Sequence, residues 1–354
     1  MISIAKPIIR QKELDAIESV IESGNFAQGP VVKEFENKFA KYIGTKYAIA
    51  VNSGTAALHV AIAAAGIKKE VIVPSFTFGS TATSVIHAGA KPVFADVSDD
   101  DYNINPESIK QKITDKTEAI LPVHLFGQPC DMEKIIELAK ENDLIIIEDC
   151  CQAHGAEFNE KKVGSFGIGC FSFYPTKNMT TFEGGIITTD NLEIAEKSRM
   201  LRNHGCKERY KHEIIGYNFR MTDISAAVGI VQLENLEKWN SKRIENAGYL
   251  SENINIPFIE KPVIKEGRKH VFNQYTIKVR NNKRDELSEF LNKKEIGTGI
   301  YYPEPLHKQP IFNNNYFLPV SESLCLKILS LPVHAALEKK DMDHIINTLK
   351  DFSR

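Results

Sequence analysis

Between residues 47 and 190 the chain alternates between two hydrophobic periods, and this alternation restricts the fold more than any other feature. YAIAV, VIVPS, PVFADV, AILPVH and LIIIEDC are short apolar runs rich in Ile and Val, the pattern of strands buried on both faces. Between them lie TAALHVAIAAAG, TATSVIHAGA and MEKIIELAKEN, which read as helices. Strand, helix, strand at this rhythm predicts an α/β fold with a parallel or mostly parallel sheet and helices on both faces. IGCFSF and GIITTD add two short strands on either side of Lys177.

After residue 190 the chain becomes helical. The stretch from Thr222 to about Leu250 is long enough to link two domains. Thr222 and Asp223 offer capping oxygens at its start. Beyond residue 255 Pro, Lys and Asn rise, and strand-like YTIKVR, helical KRDELSEFLNKKE and strand-like TGIYYP follow. This predicts a large domain over residues 1–240 and a smaller α+β domain over 241–354, a division that suits 354 residues.

Composition narrows the function classes. Net charge is −2, from 44 basic and 46 acidic side chains, so nothing asks for nucleic acid or an anionic membrane as partner. The N-terminus reads as a short segment followed by an amphipathic helix rather than a signal peptide. No run approaches the roughly 18 apolar residues of a membrane span. The six cysteines contain no Cys-x-x-Cys pair. Cys150 and Cys151 read as buried free thiols, and the Cys151–His154 spacing lacks the second pair a zinc site needs. The expectation is a reducing cytoplasm and no metal.

Three places carry candidate chemistry. VNSGTAALHVAI puts Ser53-Gly54-Thr55 between a strand and a helix. Such a helix start is either an anion site, with backbone N–H groups and dipole aimed outward, or a plain N-cap. No Walker motif occurs, and GSFGIG is not in the dinucleotide-binding order. LIIIEDCCQAHGA places Asp149 at the C-terminal end of a strand, where open parallel sheets bind ligands. A carboxylate there meets a cation or donors, or else caps the next turn; Gln152 and His154 face the same cleft or close that turn. FSFYPTKNMTTFEGG carries Lys177. A lysine is ordinarily a surface charge, but the aromatic approach and glycine exit favour a buried amine of lowered pKa and nucleophilic character. One cofactor unites the three: pyridoxal 5′-phosphate needs a covalent lysine, a carboxylate for its ring nitrogen and a phosphate cup. PSFTFGS offers Phe76 and Phe78 for the ring face.

With these segments in order, and with GNFAQGPVVKEFE, GAKPVFADV, LPVHLFGQPCDM, GYNFRMTDISAAVGIVQLE and YYPEPLHKQP beside them, the chain resembles the DegT/StrS-type sugar aminotransferases nearly end to end. The resemblance implies the fold-type I PLP-transferase fold, with a mostly parallel seven-stranded sheet. It implies that Lys177 carries the cofactor covalently, Asp149 pairs with the ring nitrogen, Gln152 contacts the phenolic oxygen side and Phe78 stacks on the ring. Gly54, Thr55 and Ser172 would bind the phosphate. Asn218 would reach the cofactor phosphate of the other subunit, which implies a homodimer with shared active sites.

Two positions depart from the family. Phe182 stands where relatives usually have glycine, and Tyr301 where they often have histidine. With His307, these are the substrate-side candidates. The implied reaction moves an amino group from an amino acid, L-glutamate by resemblance, to a nucleotide-linked keto-sugar, with a 4-keto-6-deoxy sugar favoured over a 3-keto sugar. A related dehydratase branch has histidine in place of the lysine, so Lys177 favours transamination. A non-catalytic regulator would not need a lysine facing a buried acid.

Overall fold

The alternation of residues 47–190 folds into one seven-stranded sheet. Its strands are β1 (Tyr47–Val51), β2 (Glu70–Pro74), β3 (Lys91–Ala95), β4 (Thr117–Ile120), β5 (Ile145–Asp149), β6 (Ile168–Ser172) and β7 (Gly185–Thr189). The computed structural model describes residues 1–312 and 316–353. Across the sheet the order is β1-β7-β6-β5-β4-β2-β3. Strand β7 runs antiparallel to both its neighbours, and every other pairing is parallel.

The helices are α1 (Gln11–Ser23), α2 (Pro30–Ile43), α3 (Gly54–Ala64), α4 (Gly79–His87), α5 (Pro106–Lys112), α6 (Met132–Glu141), α7 (Leu192–Arg202) and the long α8 (Asp223–Asn253). Helix α3 is apolar on nearly every side and almost wholly buried, as a helix under a sheet and other helices must be. The two capping oxygens expected before α8 divide their work. Thr222 Oγ1 accepts from Ser225 N at 3.1 Å. Asp223 instead turns to α2, which starts at Gly29-Pro30 without a side-chain cap. Its carboxylate accepts from Gly29 N at 2.8 Å and Val32 N at 3.0 Å, the donors that a helix start leaves open.

The C-terminal part adds a three-stranded antiparallel sheet, β8 (Ile259–Glu260), β9 (Tyr275–Val279) and β10 (Ile328–Leu331). Helices α9 (Arg284–Lys293), α10 (Pro319–Cys325) and α11 (Lys339–Phe352) accompany it. Tyr275, Ile277, Leu287, Leu329, Ile345 and Leu349 share a core of their own. Leu306, Leu318 and Leu324 pack back against the main sheet core. The strand expected over TGIYYP reduces to one bridge, Gly299 to Ser330. Tyr301 and Tyr302 turn away into a cavity wall, and Pro303 has no N–H to extend a ladder. No described helix is long and apolar enough to cross a membrane.

Adjacent carboxylates at the end of β5 point to opposite faces, as strand periodicity requires. Glu148, fully buried, accepts from Gly164 N at 2.9 Å, Phe166 N at 2.8 Å and Gly167 N at 2.9 Å. His124 Nε2 donates to it at 3.1 Å, while His124 Nδ1 accepts from Cys130 N at 3.0 Å. His124, Glu148 and Cys150 form the cluster of metal-ligand residue types among the described residues, but these bonds already occupy both ring nitrogens and both carboxylate oxygens. The cluster is a clamp on the loop that supports Asp149. Glu148→Ala strands three backbone donors and a histidine, so it is expected to lower unfolding free energy by about 3 to 5 kcal/mol, measured by denaturant melts.

Candidate active site

Four strand ends open into one cavity of about 550 Å³. All four are C-terminal ends of parallel strands, where side chains and helix N-termini converge without a ladder to occupy them. After β1 come Ser53, Gly54 and Thr55; after β2, Thr77, Phe78 and Ser80; at the end of β5, Asp149, Cys151 and Gln152; at and after β6, Ser172, Tyr174, Thr176 and Lys177. Asn273, Gln274, Tyr301 and Tyr302 close the cavity from the C-terminal part.

The start of α3 forms one wall. Ser53 caps the helix by accepting from Ala56 N at 3.1 Å, so the cap reading of this serine holds, and the first amides of the helix still lack intrahelical partners. Thr55 Oγ1 and Ser80 Oγ lie 2.8 Å apart, which brings the first turns of α3 and α4 together. A Cβ on Gly54 would stand 2.6 Å from Ser172 Cβ and 3.0 Å from Cys151 Sγ. Only glycine permits this approach, and the result is a tight polar cradle of amides and hydroxyls, fit for a phosphate.

The same cavity holds the carboxylate and the amine. Asp149 Oδ2 accepts from Thr81 Oγ1 at 2.9 Å and Oδ1 from Cys151 N at 3.1 Å, so the buried acid is oriented from two sides. Lys177 is half-buried and its Nζ has no hydrogen bond or ion pair among the described residues. Burial lowers its pKa from the ordinary lysine value; Cys151 and Asp149 oppose that only in part. Its loop is pinned behind it: Lys177 N donates to Tyr174 O at 2.9 Å, Thr181 N to Phe173 O at 3.1 Å and Thr180 Oγ1 to the same carbonyl at 2.8 Å.

Gln152 is oriented from both ends of its amide. Phe126 N donates to Oε1 at 2.9 Å, and Nε2 donates to Tyr302 Oη at 3.1 Å. Phe78, 59% exposed, lies across the cavity mouth with its ring 6.0 Å from that of Tyr302. His154 takes no part in the cavity. Its ring is fully buried against Phe171 and Phe173, and neither nitrogen finds a hydrogen bond. Burial, with Lys177 second, brings its pKa down to about 3, so it is a neutral core ring and no zinc partner for Cys151.

Gly54, Thr55, Phe78, Asp149, Gln152, Ser172, Lys177 and Tyr301 therefore line one cavity. Three of the anticipated residues lie elsewhere. His307 is buried, with Nδ1 2.6 Å from Ser75 Oγ and Nε2 3.1 Å from Glu322; it anchors the segment after Pro305 and does not reach the cleft. Asn218 is exposed outside the cavity and accepts from Arg220 Nε at 3.0 Å. Phe182 does not line the cavity; its ring is 41% exposed. Its backbone has φ +67°, the left-handed region where a side chain costs about 1–2 kcal/mol relative to glycine. That turn aims the next residue, Glu183, into the cavity.

Several lining residues escaped sequence reasoning. Ser80 ends the PSFTFGS segment and Tyr302 follows Tyr301, so local position was the available signal. Asn273 and Gln274 carried none, since they reach the cavity only through the long return of the C-terminal part.

The family profile of the DegT/DnrJ/EryC1/StrS aminotransferases matches residues 7–350. The chain belongs to this aminotransferase family. Among its relatives, a pleiotropic regulatory protein from Geobacillus stearothermophilus is 40% identical over 98% of this chain and 95% of its own length. The dTDP-3-amino-3,6-dideoxy-alpha-D-galactopyranose transaminase of Aneurinibacillus thermoaerophilus is 39% identical, covering 97% of this chain and 96% of that protein. Among solved structures, DesV of S. venezuelae in complex with a ketimine intermediate superposes with a TM-score of 0.94 at 36% identity, covering 98% and 95% of the two chains. The fold of this DegT/DnrJ/EryC1/StrS member is that of the pyridoxal-phosphate aminotransferases, and pyridoxal 5′-phosphate is its cofactor. The Gly54 cradle, the oriented Asp149 and the unpartnered Lys177 amine are the donor set such a cofactor requires.

Proposed function

We propose that this enzyme transfers the amino group of L-glutamate to a nucleotide-linked keto-sugar, and that Lys177, Asp149 and the Gly54–Thr55–Ser172 cradle hold its cofactor. One observation carries the reading: an acid, an amine of lowered pKa and a phosphate-sized polar cradle line one cavity from separate strand ends. Bound pyridoxal phosphate supplies an electron sink for bonds made and broken at the amine-bearing carbon.

The chain's residues supply the rest. The first amides of α3, Thr55 and Ser172 bind the phosphate. Asp149 would keep the ring nitrogen protonated. Phe78 would pack on the ring, and Gln152, held by Phe126 N and Tyr302, would contact its oxygen. Lys177 would anchor the cofactor covalently, and its amine of lowered pKa would act as base and then acid for the proton at the α-carbon of the amino acid. Lys177 would serve both halves of the exchange, one water being taken up as 2-oxoglutarate is released and one given back as the amino sugar forms, so the reading predicts ping-pong kinetics. Tyr301 and Glu183 face the acceptor. Asn218, exposed beyond this cavity, reaches the cofactor phosphate of a second copy, so the reading includes a homodimer with shared sites. It also divides the chain into a cofactor domain over 1–240 and a second over 241–354, which lends Asn273, Gln274, Tyr301 and Tyr302 to the cavity wall.

The amine position stays with the acceptor panel. A 4-keto-6-deoxy sugar follows from the family resemblance, while the 3-amino product in the name of the Aneurinibacillus relative supports a 3-keto sugar as the second reading. Incubation with glutamate and UDP-, dTDP- and GDP-linked keto-sugars should release 2-oxoglutarate in step with an amino sugar. Turnover of none of them would overturn the acceptor class, and a deoxygenated product would assign the dehydratase reaction instead. The regulatory name of the Geobacillus relative transfers poorly, because a net charge of −2 does not suit a nucleic-acid surface.

A further inference from the structure

Directly after Lys177 stands Asn178, 4% exposed, with both its amide protons and its amide oxygen hydrogen-bonded. Its Nδ2 donates to Asn240 Oδ1 at 2.8 Å and to Val271 O at 3.0 Å. Its Oδ1 accepts from Asn273 Nδ2 at 3.0 Å. Asn240, on α8 and fully buried, donates onward to His154 O at 2.7 Å. That carbonyl belongs to the loop that begins with Asp149 and Gln152. Asn273, 5% exposed, also lines the cavity, and its own carbonyl accepts from the buried Arg243.

We infer that Asn178, Asn240 and Asn273 are positioning residues: a buried chain of amides that sets the loop of Lys177 against the loop of Asp149 and ties both to the C-terminal part of the chain. The inference rests on the proposed role of Lys177. Loop 173–181 is also pinned independently of the relay, by Phe173 O. Amide side chains offer rigid, directional donors and acceptors in a dry setting where any broken link leaves a polar atom stranded. The amine at Lys177 has to move between anchoring and proton transfer while its backbone stays still, and a 1 Å misplacement of such a group costs on the order of a hundredfold in rate. The relay holds the Cα end while the amine itself stays free of partners.

The test uses full-length chain freed of cofactor, then supplied with pyridoxal phosphate. The rate of covalent attachment, trapped by borohydride and located by mass spectrometry, is followed against pH for wild type, Asn178→Ala, Asn240→Ala and Asn273→Ala. The groups facing Lys177 (Asp149, Cys151, His154 and Glu183) are unchanged in all of them. Asn246→Ala is the control: this buried amide of the same helix bonds His334 O at 3.1 Å and lies outside the relay. The relay variants should attach roughly ten- to a hundredfold more slowly. Their pH midpoint should rise, as a loosened amine gains water and its pKa returns toward the ordinary value. Asn246→Ala should melt earlier yet keep the wild-type rate and midpoint. Wild-type rate and midpoint in Asn240→Ala and Asn273→Ala, or an equal change in Asn246→Ala, would overturn the relay. Absence of a wild-type adduct on Lys177 would overturn the proposed function itself.

Discussion

Lys177→Ala is expected to abolish transamination, by about 10⁴-fold or more, while the protein stays folded. The size follows from two lost roles that act as one unit, covalent anchoring and proton transfer, the second alone contributing about 10²- to 10⁴-fold. Folding is spared because Nζ has no hydrogen bond or ion pair among the described residues, and removing a partly desolvated amine relieves its burial. The variant should bind pyridoxal phosphate without forming a borohydride-reducible link. The wild-type pH profile carries the same signature. Burial sets the Lys177 pKa below that of a free lysine, so its neutral, nucleophilic form persists to lower pH. The rate of cofactor attachment should fall only as pH drops through that lowered pKa and the amine becomes protonated. An active Lys177→Ala enzyme, or a limb at the ordinary lysine value, would remove this lysine from the mechanism.

Asp149→Asn should lower turnover roughly 10²- to 10³-fold, the usual loss when one pre-organised charge at a reacting centre is neutralised. Asparagine keeps the shape and one acceptor for Cys151 N, and Thr81 can rotate its hydroxyl to suit. Cofactor attachment at Lys177 is therefore retained, and the loss falls on the proton-transfer step, which needs the ring nitrogen protonated. Kinetics with α-deuterated glutamate are the check: the isotope effect should grow in the variant as that step becomes limiting. Near-wild-type turnover would assign Asp149 to turn-capping, the modest reading its bond to Cys151 N also allows.

How the site could be read from sequence differs residue by residue. Asp149 was legible because it ends an apolar run, and the C-terminal ends of parallel strands are where a sheet leaves room for a ligand; Ser172 came only from the family resemblance. Lys177 was legible by its flanks, and Gly54 by its place between strand and helix. Phe182 was noticed as a departure; its side chain is not among the cavity lining, while its left-handed backbone directly precedes Glu183, which is. His307 looked like a substrate ligand because it sits in a family-like segment; its ring is consumed by Ser75 and Glu322. TGIYYP looked like a strand because its apolar residues cluster, yet Tyr301 and Tyr302 pack toward the cavity and one bridge remains.

Local order along the chain was enough for the mostly parallel sheet, its strand ends, the start of α3 and the three candidate sites, because hydrophobic period and helix-start chemistry depend only on near neighbours. Contacts between residues far apart in the chain came from folding alone. Asp223 caps a helix 194 positions away at Gly29. Gln152 is aimed by Tyr302, 150 positions on. Asn178 is held by Asn240 and Asn273, at separations of 62 and 95. A buried amide or carboxylate must find a partner somewhere, but its own neighbourhood in sequence does not say where, and here those distant partners set the geometry around Lys177.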